Sequence, residues 1–222
     1  MHEDNLNVPK KSSGDYAHTV VKAGLSCVPV IGGPAVELFQ NVIQPPLEKR
    51  RNEWMRQIGE KLQDIEKQGQ KLEDLQNNEV FISAVMHASQ LALRTHEKEK
   101  LDALRNAVLN IAKGQGPEEA IQHIYLDFVD ALTELHLRIL KVFQAPLPPE
   151  GISIGGLSNV LEYNIPDLKG RRDLYDLLWK DLHSRGLVRT DSLHATTSGT
   201  GLRQKQTSKF GDEFINFISE SA

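Results

Sequence analysis

Apolar residues recur at helical spacing through the first two thirds of the chain. Between residues 47 and 75 they stand three, four and seven positions apart, with charges of both signs between them. This pattern predicts an amphipathic helix of several turns that begins after Pro45 and Pro46. Residues 79–113 predict one long helix rich in alanine and leucine, or two helices with a joint near residues 95–99.

Residues 117–146 predict one more helical stretch, which is closed by the prolines at positions 146, 148 and 149. Several prolines so close together favour a boundary between two parts of the chain. Helices joined by short turns pack antiparallel. We therefore predict an antiparallel helical domain over residues 16–145, after a flexible leader of residues 1–15, and a second domain over residues 150–222.

The second domain has a different order of elements. A short helix is predicted near residues 156–165, followed by a strong helix over residues 171–186 with Leu174, Leu177, Leu178 and Leu182 on one side. A strand from Gly186, a loop rich in Thr, Ser and Gly at residues 195–201, a strand over 202–210 and a closing helix follow. This spacing predicts that six side chains are mostly buried: Leu178, Trp179, Leu182, Leu187, Phe210 and Phe214.

The most apolar stretch lies near the N-terminus. Residues 23–43 contain a single formal charge, Glu37, but are interrupted at Pro29, Gly32, Gly33 and Pro34. Two short helices folded back at the glycine pair, the second starting at Pro34, explain this pattern better than a continuous membrane span. The hairpin could cover the core or enter a bilayer, and the positions named for turn or membrane contact are Pro29, Gly32, Gly33, Pro34, Leu38 and Phe39.

Composition narrows the classes of partner. The chain has 222 residues, a net charge of −4 and one cysteine, Cys27. It therefore has no chain-wide basic field for nucleic acid or anionic lipid, and neither an internal disulfide nor a cysteine-rich zinc site can form. The N-terminal residues lack the basic-then-apolar order of a signal peptide. We expect a cytoplasmic protein that could associate with a membrane on activation.

The sequence gives little support for catalysis. The histidines have no tight metal-ligand spacing, and the glycine pair lacks the lysine of a phosphate-binding loop. We therefore expect neither an enzyme nor a cofactor or metal.

The last third of the chain resembles winged-helix domains in its order of elements: helix, strand, loop, strand and closing helix. The strings RGLV and TSKFGDEFINFI carry the resemblance, and in it Thr207 and Gly211 would start the last helix. Such domains bind DNA or proteins, or dimerise. From residue 146 to the end, nine basic residues stand against ten acidic ones, which weakens the case for DNA. The residues that would contact nucleic acid or a partner are Arg171, Arg172, Arg189, Arg203, Lys205 and Lys209.

The order of elements along the whole chain is similar to that of the bacterial Abi-alpha family, which is linked to abortive phage resistance. The strings that carry this resemblance are IYLDFVDALTELHLRILKVF and TSKFGDEF, together with the glycine-broken apolar start. The resemblance implies a bacterial protein of phage defence and supplies no catalytic residues. We expect a non-catalytic protein that acts through protein contacts, as a homo-oligomer or with another protein, with membrane contact or DNA-binding regulation as alternatives.

Overall fold

The computed structural model describes residues 34–67, 69 and 71–220, with side chains from residue 46 onward. Residues 49–222 form one compact unit, and of the other unit, residues 1–48, only the start of the first helix is described. The prediction of a mainly helical chain is confirmed. The helices are α1 Pro34–Lys67, α2 Leu72–Gln76, α3 Glu79–Arg94, α4 Lys98–Ala112, α5 Glu119–Ala131, α6 Glu134–Gln144, α7 Leu157–Asn164, α8 Arg172–Ser184, α9 Gly199–Leu202 and α10 Lys209–Ile218.

Helix α1 begins at Pro34, as predicted, but it does not start anew after Pro45 and Pro46. A proline inside a helix has no N–H to donate and its ring crowds the preceding turn, so the pair predicted a break. The helix nevertheless runs through both positions. The predicted continuation to residue 75 is also wrong, because α1 ends at Lys67. Gly69 follows with a φ of +103°, in the left-handed region that favours glycine and stops a helix.

The choice between one helix and two over residues 79–113 is settled in favour of two. The side chain of Asn78 accepts a hydrogen bond from Phe81 N at 3.1 Å and caps the start of α3. At the joint, the hydroxyl of Thr95 accepts a bond from Glu97 N at 3.1 Å. Small buried residues on both helices, such as Ala88 and Ala107, allow α3 and α4 to pack closely.

The helical stretch predicted over residues 117–146 consists of two separate helices, α5 and α6. The chain is extended at Leu132 and Thr133, where α6 begins. The backbone N–H of Thr133 donates to Nδ1 of His136 at 3.1 Å. The side chain of the third residue of α6 thus bonds the residue that precedes the helix. Such a bond stabilises the start of a new helix.

The strands are shorter than predicted. Strand β1, Ile154–Gly155, pairs antiparallel with β2, Thr197–Ser198, and a single bridge joins Val188 to Thr207. The helical turn α9, capped by the hydroxyl of Ser198 accepting from Gly201 N at 3.2 Å, ends at Leu202. The strand predicted over residues 202–210 is reduced to the bridge at Thr207, and α10 begins at Lys209. The helix–helix–strand–wing–strand–helix order of a winged helix therefore stays a prediction.

The core runs through the whole compact unit. Buried apolar side chains extend from Trp54 on α1 to Ile218 on α10, and α10 packs against α4 and α6. Of the six side chains predicted to be buried, five are buried and Phe210 is only partly buried. The predicted boundaries at residues 16, 145 and 150 remain predictions.

The N-terminal half of α10 is held close to the end of α8 by backbone contacts. A Cβ on Gly211 would lie 2.1 Å from the carbonyl oxygen of Leu187, so only glycine fits there. The hydroxyl of Ser208 caps α10 by accepting from Gly211 N at 2.9 Å. This close approach fixes the closing helix against the segment that follows α8.

Among the helices in the described part of the chain, none is both long enough and apolar enough to cross a membrane.

Candidate interaction surface

Helix α8 turns one face to the core and the other to solvent. Its inner face buries Tyr175, Leu178, Trp179 and Leu182. The indole N–H of Trp179 donates to the carbonyl oxygen of Thr190 at 2.9 Å, and its ring meets that of Phe143 edge to face at 4.8 Å. These contacts fix the rotation of the helix, and so they fix which side chains face outward.

Leu177 is the apolar centre of the outward face. Leu177 is 66% exposed. The sequence pattern placed it on one side of the helix with Leu174, Leu178 and Leu182, and the structure corrects that prediction. At about 100° per residue, the four buried side chains of α8 centre about 150° away from Leu177. The leucine is therefore on the opposite side of the helix from the core.

Charges of both signs surround Leu177 on the outward face of α8. Asp173 and Lys180, one turn to either side of Leu177, are exposed. Near the start of the helix, Nε of Arg172 lies 3.4 Å from a carboxylate oxygen of Asp176, and the other oxygen of Asp176 lies 2.7 Å from Nε2 of His194. An apolar centre within a rim of mixed charge is the composition found at protein interfaces.

The six basic residues predicted for partner or nucleic-acid contact are all exposed, and they divide into two groups. Three have carboxylate partners: Arg172 with Asp176, Lys205 with Asp212, and Lys209 with Glu213. For Arg171, Arg189 and Arg203, no described carboxylate lies within ion-pair distance. Pairing lowers the positive charge that the first group can offer to a phosphate backbone.

Asp212 is held ionised beside Lys205. Its carboxylate accepts a hydrogen bond from the Thr207 hydroxyl at 2.5 Å and a short one from Lys205. Burial alone would raise the pKa of Asp212, but the hydrogen bonds from Lys205 and Thr207 outweigh it and lower the pKa. Lys205 is therefore held in an ion pair at the start of α10 and is not a free cation for a ligand.

The predicted hairpin contributes little to the described surface. Pro29, Gly32 and Gly33 lie outside the described residues. Pro34 is the first residue of α1, and Leu38 and Phe39 lie in α1 with side chains outside the described part. The turn and the membrane contact stay predictions.

Two other exposed apolar side chains lie in neighbouring segments and were missed by sequence reasoning. Leu147 is 64% exposed and Tyr163 is 55% exposed. The side-chain amide of Asn164, the residue after Tyr163, donates to the carbonyl oxygen of Leu147 at 2.8 Å. The density of prolines around Leu147 predicted only a boundary, so nothing in the pattern indicated that it is exposed beside a helix.

A cleft of about 910 Å³ lies between the end of α4, the turn before α5 and the outer side of α10. Its lining includes the apolar side chains of Ile121, Phe210 and Phe217, and three carboxylates, Glu118, Glu213 and Glu220. No histidine, cysteine, lysine or arginine is among these lining residues.

His136 is the one buried histidine among the described residues, and its surroundings explain it structurally. Nδ1 lies 2.8 Å from the hydroxyl of Thr133 and also accepts from the backbone N–H of that residue, while Nε2 faces Asp181 at 3.5 Å. Burial lowers the pKa of His136 against the opposing effect of the Asp181 carboxylate. The ring of His136 thus bonds the start of α6 through Nδ1, while its buried Nε2 has no hydrogen-bond partner among the described residues.

No protein-family model matches this chain, and no curated protein or solved structure matches it.

Proposed function

We propose that the chain is a non-catalytic protein that binds another protein through the outward face of α8. The observation that carries the proposal is the 66% exposure of Leu177 between Asp173 and Lys180 on a helix whose rotation is fixed by Trp179. Large apolar side chains centred in a patch supply most of the binding energy of a protein interface, and a polar rim surrounds them. The partner is a second copy of the chain or another protein.

The proposal includes a winged-helix-like arrangement of the last third of the chain. In support, α6, β1, α7 and α8 follow one another in the order of such domains, and the Val188–Thr207 bridge stands where two wing strands would pair. Helix α8 then takes the place of the helix that reads DNA in domains of that class. An exposed leucine at that place favours protein contact over contact with phosphates.

The experiment uses the tagged full chain expressed in bacterial cells, with two matched variants. Leu177→Asp removes the apolar centre, and Met86→Asp changes a side chain of similar exposure, 59%, on α3. We expect the wild type and Met86→Asp each to retain a partner protein in stoichiometric amount. Leu177→Asp should retain at least about tenfold less of that partner. Equal retention by both variants would contradict the proposal, provided that both unfold at the wild-type temperature.

DNA-binding regulation is the second candidate. It is favoured by Arg171, Arg189 and Arg203, which are exposed and have no described carboxylate partner. The backbone N–H of Arg189 donates to Gln206 O at 2.8 Å, which brings Arg189 near the segment that carries Arg203. If this candidate is right, Arg203→Ala should weaken duplex binding and reduce its salt slope by about one unit.

The cellular setting in this proposal is the bacterial cytoplasm during phage infection, as the resemblance to the Abi-alpha family implies. Protection should then depend on the same surface as partner binding. We expect expression of the wild type to lower the plating efficiency of at least one phage in a panel, and Leu177→Asp to restore it. Membrane association through residues 23–43 remains part of this proposal as a later step of activation.

A further inference from the structure

Two histidines from different helices face each other on the surface formed by α3 and α5. Nδ1 of His87 lies 3.3 Å from Nδ1 of His123, and the ring centroids are 5.5 Å apart. Their side chains are 22% and 44% exposed, so the pair is reached by solvent. The two residues are 36 positions apart, and only the packing of α3 against α5 brings them together.

A carboxylate faces the far nitrogen of each ring. Oδ1 of Asp127 lies 3.2 Å from Nε2 of His87, and Oε1 of Glu119 lies 4.0 Å from Nε2 of His123. A carboxylate beside a ring nitrogen favours the tautomer with its proton on that nitrogen. With both protons on Nε2, neither Nδ1 has a proton to donate to the other, so two acceptor nitrogens 3.3 Å apart repel unless a cation lies between them.

We propose that His87 and His123 chelate a divalent transition-metal ion of the Zn²⁺, Ni²⁺ and Cu²⁺ class through their Nδ1 atoms. Tetrahedral Zn²⁺ with Zn–N bonds of about 2.0–2.1 Å places two ligating nitrogens about 3.3–3.4 Å apart, which the separation in the structure matches. A modest rotation of each ring directs both lone pairs to one point.

The surroundings of the pair fit a metal ion held by two protein ligands. No group of three or more His, Cys, Asp or Glu side chains within the described residues is arranged to hold a metal, so water completes the coordination. A carboxylate that holds the free nitrogen of a ligating histidine orients the ring and raises its basicity. Asp127 and Glu119 take these positions, and neither has a described lysine or arginine partner that would neutralise it.

The test is a titration of the full chain with Zn²⁺, followed by calorimetry, and with Cu²⁺, followed by electron paramagnetic resonance. His87→Gln and His123→Gln are compared with His96→Gln, which changes an exposed histidine outside the pair. Because His2, His18 and Cys27 are present in every variant, the difference between variants isolates this site.

We expect one binding event that His96→Gln retains and that each of the other two variants loses. Its Cu²⁺ spectrum should show coupling to two nitrogens. Asp127→Asn should weaken Zn²⁺ binding about 10- to 100-fold, the usual effect of removing a carboxylate that orients a ligating histidine. Unchanged Zn²⁺ binding in His87→Gln, or a hydrogen-bonded histidine pair that takes up no metal in the wild type, would overturn the proposal.

Discussion

Replacing Asn110 by alanine tests how the last helix is attached to the rest of the unit. Asn110 lies on α4 with 3% of its surface exposed. Its amide nitrogen is 2.8 Å from Phe217 O, 3.0 Å from Ser219 O and 3.2 Å from Asn216 O. These carbonyls belong to the C-terminal end of α10, where the last carbonyl groups of a helix have no partner within the helix.

The expected cost follows from the number of bonds lost. An amide nitrogen has two hydrogens, so of the three carbonyls at most two receive strong bonds, each worth about 1 kcal/mol net. Carbonyls left buried without a donor add about 1–3 kcal/mol, partly offset if water enters. We expect Asn110→Ala to lower the free energy of unfolding by about 2–4 kcal/mol, which corresponds to a fall in Tm on the order of 10 °C.

The assay is urea unfolding followed by far-ultraviolet circular dichroism. Asn106→Ala is the matched control, because the amide of Asn106 gives one bond, 3.1 Å long, to Ile218 O at a partly buried site. We expect that variant to lose about 1 kcal/mol. Asn110→Asp, which replaces a donor by a carboxylate beside carbonyl oxygens, should be less stable than Asn110→Ala. A loss in Asn110→Ala no larger than in Asn106→Ala would refute the reasoning.

Three further predictions concern protonation and the apolar N-terminal segment. Burial lowers the pKa of His136, so the neutral ring stabilises the fold above pH about 6.5, and this contribution is lost as the pH falls below that value. His136→Gln should therefore flatten the acid side of a plot of unfolding free energy against pH. Burial raises the pKa of Tyr125 to about 12, so its contribution is complete below pH about 10 and is lost towards pH 12. Stability of Tyr125→Phe that falls as steeply as the wild type over that range would contradict this assignment. Leu38→Asp should lower the free energy of unfolding by several kcal/mol, on the order of other buried-charge insertions. The purified wild type should cause no leakage of anionic vesicles. Leakage by that protein would favour membrane action.

The helices of the chain could largely be predicted from its apolar spacing, but their ends depended on single side chains. The break between α5 and α6 lies inside a continuous apolar pattern, and it exists because the ring of His136 bonds back to the N–H of Thr133. Spacing along the chain does not report such a bond. The break after Lys67 had a visible signal in Gly69, because a glycine inside a helix costs about 1 kcal/mol, but the predicted helix was extended across it to residue 75.

The candidate surfaces were harder to predict than the helices. Leu177 belongs to a leucine-rich pattern, and an exposed leucine is distinguished from a buried one only by its angle around the helix relative to Tyr175 and Trp179. The His87–His123 pair depends on tertiary packing, because no metal-ligand spacing along the chain links residues so far apart. The strand expected over residues 202–210 is reduced to the single bridge at Thr207, and Ser208 caps α10 directly after it.

The measurement that tests the central claim most directly is photo-crosslinking from the outward face of α8 inside bacterial cells. A benzoylphenylalanine placed at position 177 in the full chain is compared with the same residue at position 86, which has similar exposure. The account predicts a discrete crosslinked product from position 177 only, removed by protease and unaffected by nuclease. A product that nuclease removes, or identical products from the two positions, would contradict the claim that α8 binds protein through Leu177.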